Sequence, residues 1–161
     1  MKEIIFNFHT NARLIIGYFR GIVIRLQAKR SLGRLVILKG CTIHAPFRIS
    51  FGKNVFINQD CLIEPYVDIE IGSNVIIGPR TQIYTVNHLF NRLDTPIRYQ
   101  GDELKPVIIE DDVWIAAGCI IVPGVKIGKG SVIAAGSVVV KDVVPHSVIA
   151  GNPAKVIKMR K

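Results

Sequence analysis

Aliphatic residues recur at every sixth position through much of the chain. One series comprises Ile109, Ile115, Ile121, Ile127, Ile133 and Val139, and an earlier series comprises Ile71, Ile77 and Ile83. The position four residues after each aliphatic is usually small or β-branched, as at Val113, Cys119 and Ser131. A period of six is neither helical nor a simple alternation. It predicts a parallel β-helix of hexapeptide repeats, in which the short strands of successive coils share one stacked core.

The predicted solenoid occupies residues 35–161 and contains one long interruption. Its inward positions slip by two residues twice, before Phe51 and before Ile71, which suits small insertions at coil corners. Three hexapeptides make one triangular coil, so about 18 residues should separate stacked positions. Residues 87–105 carry no inward series and are rich in turn-forming residues, so we expect a long loop that leaves the solenoid. Long loops on rigid scaffolds tend to carry function.

Residues 1–34 form a separate N-terminal segment with the pattern of one or two amphipathic helices. Its apolar stripe comprises Phe8, Ile15, Phe19, Ile22 and Leu26, a spacing typical of one helix face. Arginines interrupt the apolar runs, so no run reaches the roughly 18–20 residues that span a bilayer. Two interpretations remain open, and both can hold. The helix packs across the open end of the solenoid, which needs a cap, or it lies with its basic residues on an anionic membrane surface.

Positive charge is concentrated in the N-terminal third of the chain. The net charge is +9, and residues 1–53 carry ten Lys or Arg side chains against the single acid Glu3. Residues 54–161 carry eleven side chains of each sign. The N-terminal part is therefore expected to meet an anionic partner. Nucleic acid is not predicted as that partner, because the chain has neither a reader motif nor aromatic residues interleaved with the basic ones.

The three cysteines do not form the pattern of a disulfide framework. Cys41, Cys61 and Cys119 each lie four residues after an inward aliphatic, in the small-residue position of the repeat. We therefore expect them to be buried packing thiols. Since there is no secretory signal, the cysteines fit a reducing compartment, and we expect a cytoplasmic protein.

A histidine is the candidate catalytic side chain. His88 stands at the break between the regular repeat and the long loop, where a side chain can face a cleft. A neutral imidazole there can act as a general base near neutral pH, and the alternative is a solvated loop histidine. Three converging histidines would indicate zinc, as in solenoids of the γ-carbonic-anhydrase type. Because His44, His88 and His146 have unlike sequence contexts, no metal is predicted.

Several motifs occur in order, at compatible spacing, over residues 50–158. They are Thr81–His88, Lys105–Gly118, Val122–Gly128, Ile133–Asp142 and Ala150–Lys155. Together they resemble the hexapeptide acetyltransferases of the maltose and galactoside O-acetyltransferase type. The loop motif Pro96–Gly101 is more similar to enzymes that acetylate sugars of capsule, O-antigen and exopolysaccharide. Residues 1–35 lie outside the resemblance.

The resemblance implies a left-handed parallel β-helix that works as a homotrimer, with active sites between neighbouring subunits. It implies direct transfer of acetyl from acetyl-CoA, the acyl-donor substrate, to a sugar hydroxyl, with no metal required. His88 matches the family's catalytic histidine, and Asn58 matches the asparagine that helps shape the acceptor pocket. The positions that match the acetyl-CoA site are Trp114, Ala117, Gly118, Ala135, Lys141, Asn152, Pro153 and Lys155.

The chain departs from the family on the acceptor side. The maltose and galactoside enzymes have an aspartate just after the asparagine motif, and this chain has Glu64 at a shifted position instead. We therefore expect Glu64, Tyr66 and Asn87 to hold the acceptor. Each assignment has a structural alternative: Asn58 can bond its own turn, Trp114 can pack as a surface aromatic, and the lysines can be solvated.

The predicted function is O-acetylation of a sugar of a surface polysaccharide, or of its lipid-linked or nucleotide-sugar precursor. The reaction would take place in the cytoplasm or at the inner face of the cell membrane. His88 would take the proton of the acceptor hydroxyl, without an acyl-enzyme. Three alternatives remain: Cys61 as a nucleophile that carries the acetyl group, a small-sugar acetyltransferase of the detoxifying kind, and a non-catalytic solenoid that serves as a scaffold or binding module.

Overall fold

The structure, a computed structural model, describes the backbone of residues 2–161 and the side chains of residues 12–161. Over this range the chain forms one α-helix, two 3-10 turns (Pro46–Arg48 and Ile97–Tyr99) and nineteen short strands. The helix and strands are α1 (Lys2–Gln27), β1 (Arg30–Ser31), β2 (Leu35–Ile37), β3 (Thr42–Ile43), β4 (Ile49–Phe51), β5 (Val55–Ile57), β6 (Leu62–Glu64), β7 (Ile69–Ile71), β8 (Ile76–Ile77), β9 (Gln82–Tyr84), β10 (Val86–His88), β11 (Asp102–Leu104), β12 (Val107–Ile109), β13 (Trp114–Ile115), β14 (Ile120–Ile121), β15 (Lys126–Ile127), β16 (Val132–Ile133), β17 (Val138–Val139), β18 (Ser147–Gly151) and β19 (Ala154–Met159).

The strands stack as the three faces of a parallel solenoid. Face A contains β1, β4, β7, β12 and β15, and face C contains β3, β6, β9, β14 and β17. Face B contains β2, β5, β8, β13, β16 and β18, with β19 added antiparallel to β18. In each coil the chain passes through face B, then face C, then face A, over about six turns. The prediction of a left-handed parallel β-helix is confirmed.

The sixfold aliphatic series fills the inside of the solenoid. Its members from Ile109 to Ile133, in steps of six, are each at most 1% exposed. In the regular part eighteen residues separate stacked partners, as between Trp114 and Val132. Twenty residues separate Leu35 from its partner Val55 in the first coils, because each slip of the pattern adds two residues. Burying one such aliphatic side chain contributes about 1.5–3 kcal/mol, so these stacked columns are the main source of stability.

The cysteines occupy the predicted small-residue positions, but only two of them are fully buried. Cys61 and Cys119 are at most 1% exposed, and their thiols donate to the backbone carbonyls of Gly78 and Ala134, each at 3.2 Å. Cys41 is only partly buried. It belongs to the first coil, whose strand β3 is the end strand of face C and has no further strand stacked on its open side.

The helix α1 packs against β2 at the open end of the solenoid, as a cap would. The predicted apolar stripe is not the packed side, however, because its members Ile15, Phe19 and Leu26 are exposed. Gly17 and Gly21, about one turn apart, face β2. A Cβ atom at Gly21 would lie 1.9 Å from the carbonyl oxygen of Leu35. Glycine inside a helix costs about 1 kcal/mol relative to alanine. The close approach of the two backbones explains why glycine is present here.

Within the described residues, α1 is a single helix where one or two were predicted. Phe8 and His9 belong to it, but their side chains lie outside the described residues. The first solenoid strand, β1, pairs with β4 at Arg30 and Ser31, ahead of the predicted start near Leu35. No helix in the described part of the chain is long and apolar enough to cross a membrane.

The interruption of the repeat is a β-hairpin with a 3-10 turn between its strands. The strands β10 and β11 are antiparallel, with Val86 beside Leu104 and His88 beside Asp102. The hairpin leaves the solenoid after β9 on face C and returns to it before β12 on face A. It therefore projects from the corner that joins these two faces, which is named the C–A corner below.

Candidate active site

A buried threonine ties the base of the hairpin to the preceding coil. Thr85 follows β9 directly and has no exposed surface. Its hydroxyl accepts the backbone N–H of Tyr66 at 2.7 Å and donates to the backbone carbonyl of Glu64 at 3.2 Å. The start of the hairpin is thereby fixed at the C–A corner, beside two of the predicted acceptor residues.

His88, the predicted catalytic base, pairs with an aspartate across the hairpin. Its Nδ1 lies 2.7 Å from Oδ1 of Asp102, which stands directly opposite on β11. The two side chains are 74% and 48% exposed, so both are accessible to a ligand. Because a carboxylate only accepts hydrogen bonds, the neutral ring carries its proton on Nδ1 and keeps the lone pair of Nε2 available. A general base needs this arrangement.

The predicted acceptor residues Glu64 and Tyr66 line a pocket at the C–A corner, in the two coils before the hairpin. The pocket has a volume of about 280 Å³ and is also lined by His44, Phe47 and Arg48. The guanidinium of Arg48 donates to the backbone carbonyl of Tyr66 and lies 5.9 Å from the centroid of the Phe47 ring. Exposed aromatic rings beside charged groups offer a sugar both an apolar surface and hydrogen-bond partners.

Asn87 is exposed on β10 and pairs with Glu103 of β11. Successive side chains of a strand point to opposite faces. Asn87 therefore faces away from the side of the hairpin that carries His88.

The corner that joins face B to face C, named the B–C corner below, holds four predicted site residues. Ala117 and Gly118 lie there in one coil and Ala135 in the next, and Gly136 donates its N–H to the carbonyl of Ala117 at 2.9 Å. Asn58 lies at the same corner two coils earlier. Ala117, Gly118 and Ala135, which were predicted to belong to the acetyl-CoA site, therefore form one continuous strip.

This strip presents bare backbone to the outside. The turn at this corner has a positive φ in successive coils. The angle is +68° at Gly118 and +71° at Gly136, and it is +60° at the equivalent residues Asp60 and Arg80, which are not glycine. Since the same turn accepts aspartate and arginine, backbone geometry does not by itself require glycine. A Cβ atom on Gly118 or Gly136 would meet open space. The later coils therefore leave a strip of surface that a ligand can approach closely.

Asn58 is partly engaged by its own turn. Its Oδ1 accepts the backbone N–H of Gln59 at 2.8 Å. The side chain thus bonds its own turn, as the structural alternative to a role in the site predicts. Its amide NH₂ group makes no hydrogen bond to any other described group, and the side chain is partly exposed. The amide is thus held through its oxygen and keeps its donors available for a ligand.

Trp114 lies on the outer surface of face B and is 51% exposed. It lines a groove of about 800 Å³ together with the C-terminal residues Lys158 and Arg160. The guanidinium of Arg160 donates to the carbonyl of Gly130 at 2.6 Å, which fixes the tail beside the solenoid. The groove thus combines an aromatic wall with cations.

The remaining predicted residues of the acetyl-CoA site are exposed near the last coils. Asn152 and Pro153 form the turn between β18 and β19, and Lys155 follows on β19 beside Ala150. Lys141 lies just after β17, at the C–A corner. Lys155 on face B and Lys141 at the C–A corner are therefore both available to an anionic ligand.

One chain does not bring all of these residues together. His88, the acceptor pocket and Lys141 lie at the C–A corner, where the strands of face C end. Asn58 and the strip of Ala117, Gly118 and Ala135 lie at the B–C corner, where the same strands begin.

Cys61 does not have the geometry of a nucleophile. Its sulfur is buried, and the neighbouring Cys41 thiol, together with burial, raises the pKa of the Cys61 thiol. The thiolate is the reactive form, so a buried thiol that stays protonated is a poor acyl carrier.

Histidine also gives no metal centre among the described side chains. His44 lies at the C–A corner of the first coil, and His146 lies just before β18. No group of three or more His, Cys, Asp or Glu residues in this part of the chain could hold a metal ion.

Comparison with known proteins identifies the family. The model described as "Bacterial transferase hexapeptide (six repeats)" matches residues 106–141. A galactoside O-acetyltransferase of Lactococcus lactis subsp. lactis is 36% identical over 126 residues, 73% of this chain and 59% of the relative. A hexapeptide-repeat acetyltransferase of Vibrio cholerae O1 biovar eltor, solved with acetyl coenzyme A, superimposes with a TM-score of 0.78 and 36% identity, over 87% of this chain and 75% of that one. A maltose O-acetyltransferase of Clostridium difficile 630 superimposes with a TM-score of 0.75 and 36% identity, over 88% and 75%.

This chain belongs to the hexapeptide-repeat acetyltransferases. It spans 53%, 66% and 59% of the length of three curated relatives that it matches. The segment that matches the family model, residues 106–141, contains Trp114, Lys141 and the strip at the B–C corner. His88 and Asn58 lie before that segment.

Sequence reasoning missed several residues of the candidate site. Asp102 stands fourteen positions after His88, within a stretch that was predicted as irregular loop, and only the hairpin register pairs the two. Arg48 and Lys158 were not singled out, because each is one of many basic residues in the sequence. The sequence carried no signal that selects Asp102, because the strands Val86–His88 and Asp102–Leu104 lack the alternation of apolar and polar residues that is typical of a hairpin.

Proposed function

We propose that this protein is an acetyl-CoA-dependent O-acetyltransferase that acts on a sugar hydroxyl, with His88 as general base. The observation that carries the proposal is the His88–Asp102 pair, 2.7 Å between Nδ1 and Oδ1, on an exposed hairpin beside a pocket. The names of the galactoside and maltose O-acetyltransferases described above support the same reaction class.

The proposed step is a direct transfer. Nε2 of His88 takes the proton of the acceptor hydroxyl while that oxygen attacks the thioester carbonyl carbon. A C–O bond forms, the C–S bond breaks, and the proton passes from Nε2 to the departing sulfur, so that coenzyme A leaves as a thiol. A positioned base of this kind contributes about 10²–10⁴-fold. Asp102 keeps the ring in the required tautomer and orientation.

Developing negative charge on the carbonyl oxygen needs a hydrogen-bond donor. The amide of Asn58 and the backbone N–H groups of the B–C corner are the available donors, since Asn58 uses only its oxygen in its own turn. Loss of one such donor typically costs roughly 3–4 kcal/mol of transition-state stabilisation. Binding both substrates in one cleft holds the hydroxyl close to the thioester, which lowers the entropic part of the activation barrier.

We further propose that the site is completed between two copies of the chain in a homotrimer. His88 and the strip at the B–C corner lie at opposite ends of face C. A ligand that touches both therefore reaches from the C–A corner of one subunit to the B–C corner of its neighbour. A head-to-tail contact of this kind closes into a ring when the rotation allows it. Three identical sites would result.

In this proposal the acetyl-CoA arm follows the strip of Ala117, Gly118 and Ala135, with Trp114 as an aromatic wall. The nucleotide end meets Lys141 and the segment of Asn152, Pro153 and Lys155. These lysines would contact phosphates as point charges. No metal takes part in the proposed reaction.

The proposed acceptor is a sugar of a surface polysaccharide, or its lipid-linked or nucleotide-sugar precursor. The pocket with Glu64, Tyr66 and Arg48 is open to solvent and carries an aromatic ring beside both signs of charge. It therefore suits a saccharide presented as part of a larger molecule. We place the reaction in the cytoplasm, at the inner face of the cell membrane, because the N-terminal third carries the excess of positive charge.

The test is thiol release from acetyl-CoA, measured with a panel of free sugars, nucleotide sugars and lipid-linked oligosaccharides. His88→Ala should keep its fold and its affinity for acetyl-CoA, and lose turnover by about 10²-fold or more. Asn91→Ala, an exposed change on the same hairpin, is the matched control and should keep full activity. Turnover of His88→Ala within a few-fold of wild type would overturn the assignment. A wild-type protein that does not bind acetyl-CoA would point to the non-catalytic scaffold instead.

The shared site can be tested separately by subunit complementation. His88→Ala removes the base, and Ala135→Leu obstructs the proposed cofactor strip. At acetyl-CoA concentrations well below saturation each variant alone should have little activity, whereas trimers refolded from a mixture contain some sites with both parts intact and should regain activity. Failure of well-folded mixed trimers to regain activity would place the whole site within one chain.

A further inference from the structure

The side of α1 that faces away from the solenoid is apolar, whereas a surface helix normally presents polar residues to water. Its large side chains are between 55% and 83% exposed; they are Ile15, Ile16, Phe19, Val23 and Leu26. At about 100° per residue they fall within an arc of roughly 100° on the side opposite Gly17 and Gly21, which face β2. The helix therefore has two apolar faces. The solenoid covers one, and the other is open.

A groove beside α1 continues this open face. It has a volume of about 640 Å³ and lies between the helix and the segment at Gly33 and Arg34. Its apolar lining includes Tyr18 and Phe19, and the guanidinium-bearing side chains of Arg25 and Arg34 also line it. An apolar floor with cations beside it matches a phospholipid, which joins acyl chains to an anionic phosphate.

The segment that carries the open face has charged residues of one sign. Residues 12–53 contain no aspartate or glutamate. Arg20, Arg25 and Arg34 form no ion pair with any side chain in the described part of the chain. On the helix, Arg20 and Arg25 lie on the two flanks between the packed and the open face, at about 100° per residue. Because no carboxylate pairs with them, these arginines favour an anionic surface as partner.

We propose that the open face of α1, formed by Ile15, Ile16, Phe19, Val23 and Leu26 with Arg20, Arg25 and Arg34 at its edges, docks on an anionic phospholipid bilayer. The helix lies in the plane of the interface, its apolar side chains enter the boundary of the acyl chains, and the arginines meet lipid phosphates. The solenoid then projects from the membrane with its first coil nearest to it.

The charge pattern favours a lipid surface over a second copy of this chain as occupant. Two copies joined through their open faces would bring two sets of arginines together with no acid from residues 12–53 between them. Such like-charge contacts oppose association, whereas anionic lipids neutralise them. The docking surface does not depend on acetyl transfer, so the two proposals can fail separately.

The experiment is co-sedimentation of the full chain with vesicles of an equal mixture of phosphatidylcholine and phosphatidylglycerol, and with vesicles of phosphatidylcholine alone. Wild type should bind the mixed vesicles more tightly than the neutral ones. The triple variant Ile15→Gln, Phe19→Gln and Leu26→Gln should lose affinity for the mixed vesicles by roughly tenfold or more, because it removes apolar surface. These side chains are exposed, so the variant should keep the far-UV circular dichroism spectrum of the wild type.

Two further variants make the result specific. Val144→Gln with Ile157→Gln removes exposed apolar side chains away from α1 and should bind as wild type does. Arg25→Gln with Arg34→Gln should lose the preference for phosphatidylglycerol and the sensitivity to salt, since both arise from charge. Failure of the wild type to bind the mixed vesicles would overturn the proposal. A triple variant that binds these vesicles as tightly as the wild type would overturn it as well. If the wild type forms an oligomer and the triple variant does not, the open face contacts a second copy of the chain instead of a membrane.

Discussion

Replacing Gly21 by alanine tests how α1 is held on the solenoid. A Cβ atom at this position would lie 1.9 Å from the carbonyl oxygen of Leu35 and 2.7 Å from its carbonyl carbon. A carbon atom and a carbonyl oxygen in close contact are about 3.3 Å apart, so the helix must withdraw by roughly 1.4 Å. The obstacle is backbone of β2, which cannot rotate aside as a side chain would.

The expected magnitude follows from two opposing contributions. Alanine is favoured over glycine in a helix by about 1 kcal/mol. Overpacking against a rigid neighbour costs about 1–3 kcal/mol, and the backbone contact places Gly21→Ala in the upper part of that range. We therefore expect a net loss of about 1–2 kcal/mol in the free energy that holds α1 on the solenoid, opposite in sign to the helix propensity.

Gly17→Ala is the matched control on the same face. There a Cβ atom would meet Cδ2 of Leu38 at 2.9 Å, Cγ1 of Val36 at 3.1 Å and the backbone carbonyl oxygen of Ile37 at 3.2 Å. The backbone oxygen is close to the contact distance of about 3.3 Å, and the two side-chain atoms can shift, so the crowding and the helix propensity should nearly cancel. Urea unfolding followed by far-UV circular dichroism gives the stability, and tryptic cleavage within α1 under native conditions reports withdrawal of the helix. If Gly21→Ala is as stable and as protease-resistant as wild type, the close packing of α1 on β2 is refuted.

Three further predictions concern the site and its surroundings. Asp102→Asn leaves the hairpin intact but removes the carboxylate that orients His88. We expect kcat for acetyl transfer to fall roughly 10–100-fold, with little change in KM for acetyl-CoA. An unchanged kcat would show that Asp102 has no part in the mechanism. Ala135→Leu adds bulk to the exposed strip. Calorimetry should therefore show an affinity for acetyl-CoA that is at least roughly tenfold weaker, while the thermal stability is unchanged. An unaltered affinity would show that acetyl-CoA does not bind along this strip. The neighbouring Cys61 thiol lowers the pKa of Cys41 to about 7. Iodoacetamide labelling of Cys41 should therefore rise as pH passes through this value, because the thiolate reacts. Cys61→Ala should move the midpoint up toward that of an ordinary thiol, and an unmoved midpoint would contradict the effect of Cys61 on Cys41.

The sequence by itself determined the solenoid and its core. Every coil must place aliphatic side chains at the same inward positions. Aliphatic residues therefore recur with a period of six along the sequence. The slips before Phe51 and Ile71 were visible for the same reason, and they account for the twenty-residue spacing of the first coils. His88 could be selected because it stands where this period stops.

Only the tertiary structure decided which distant residues meet. Asp102 reaches His88 through the register of a hairpin, and the intervening residues carry no periodic signal that would set that register. Which side of α1 is covered was also not readable, because apolar residues lie on both sides of the helix and only docking on β2 chooses between them. His88 and Ala135 are both recognisable in the sequence, yet they lie at opposite ends of face C. A repeating core follows from local pattern, whereas a site depends on contacts between segments that fold to the same place, and those contacts leave no pattern in a single sequence.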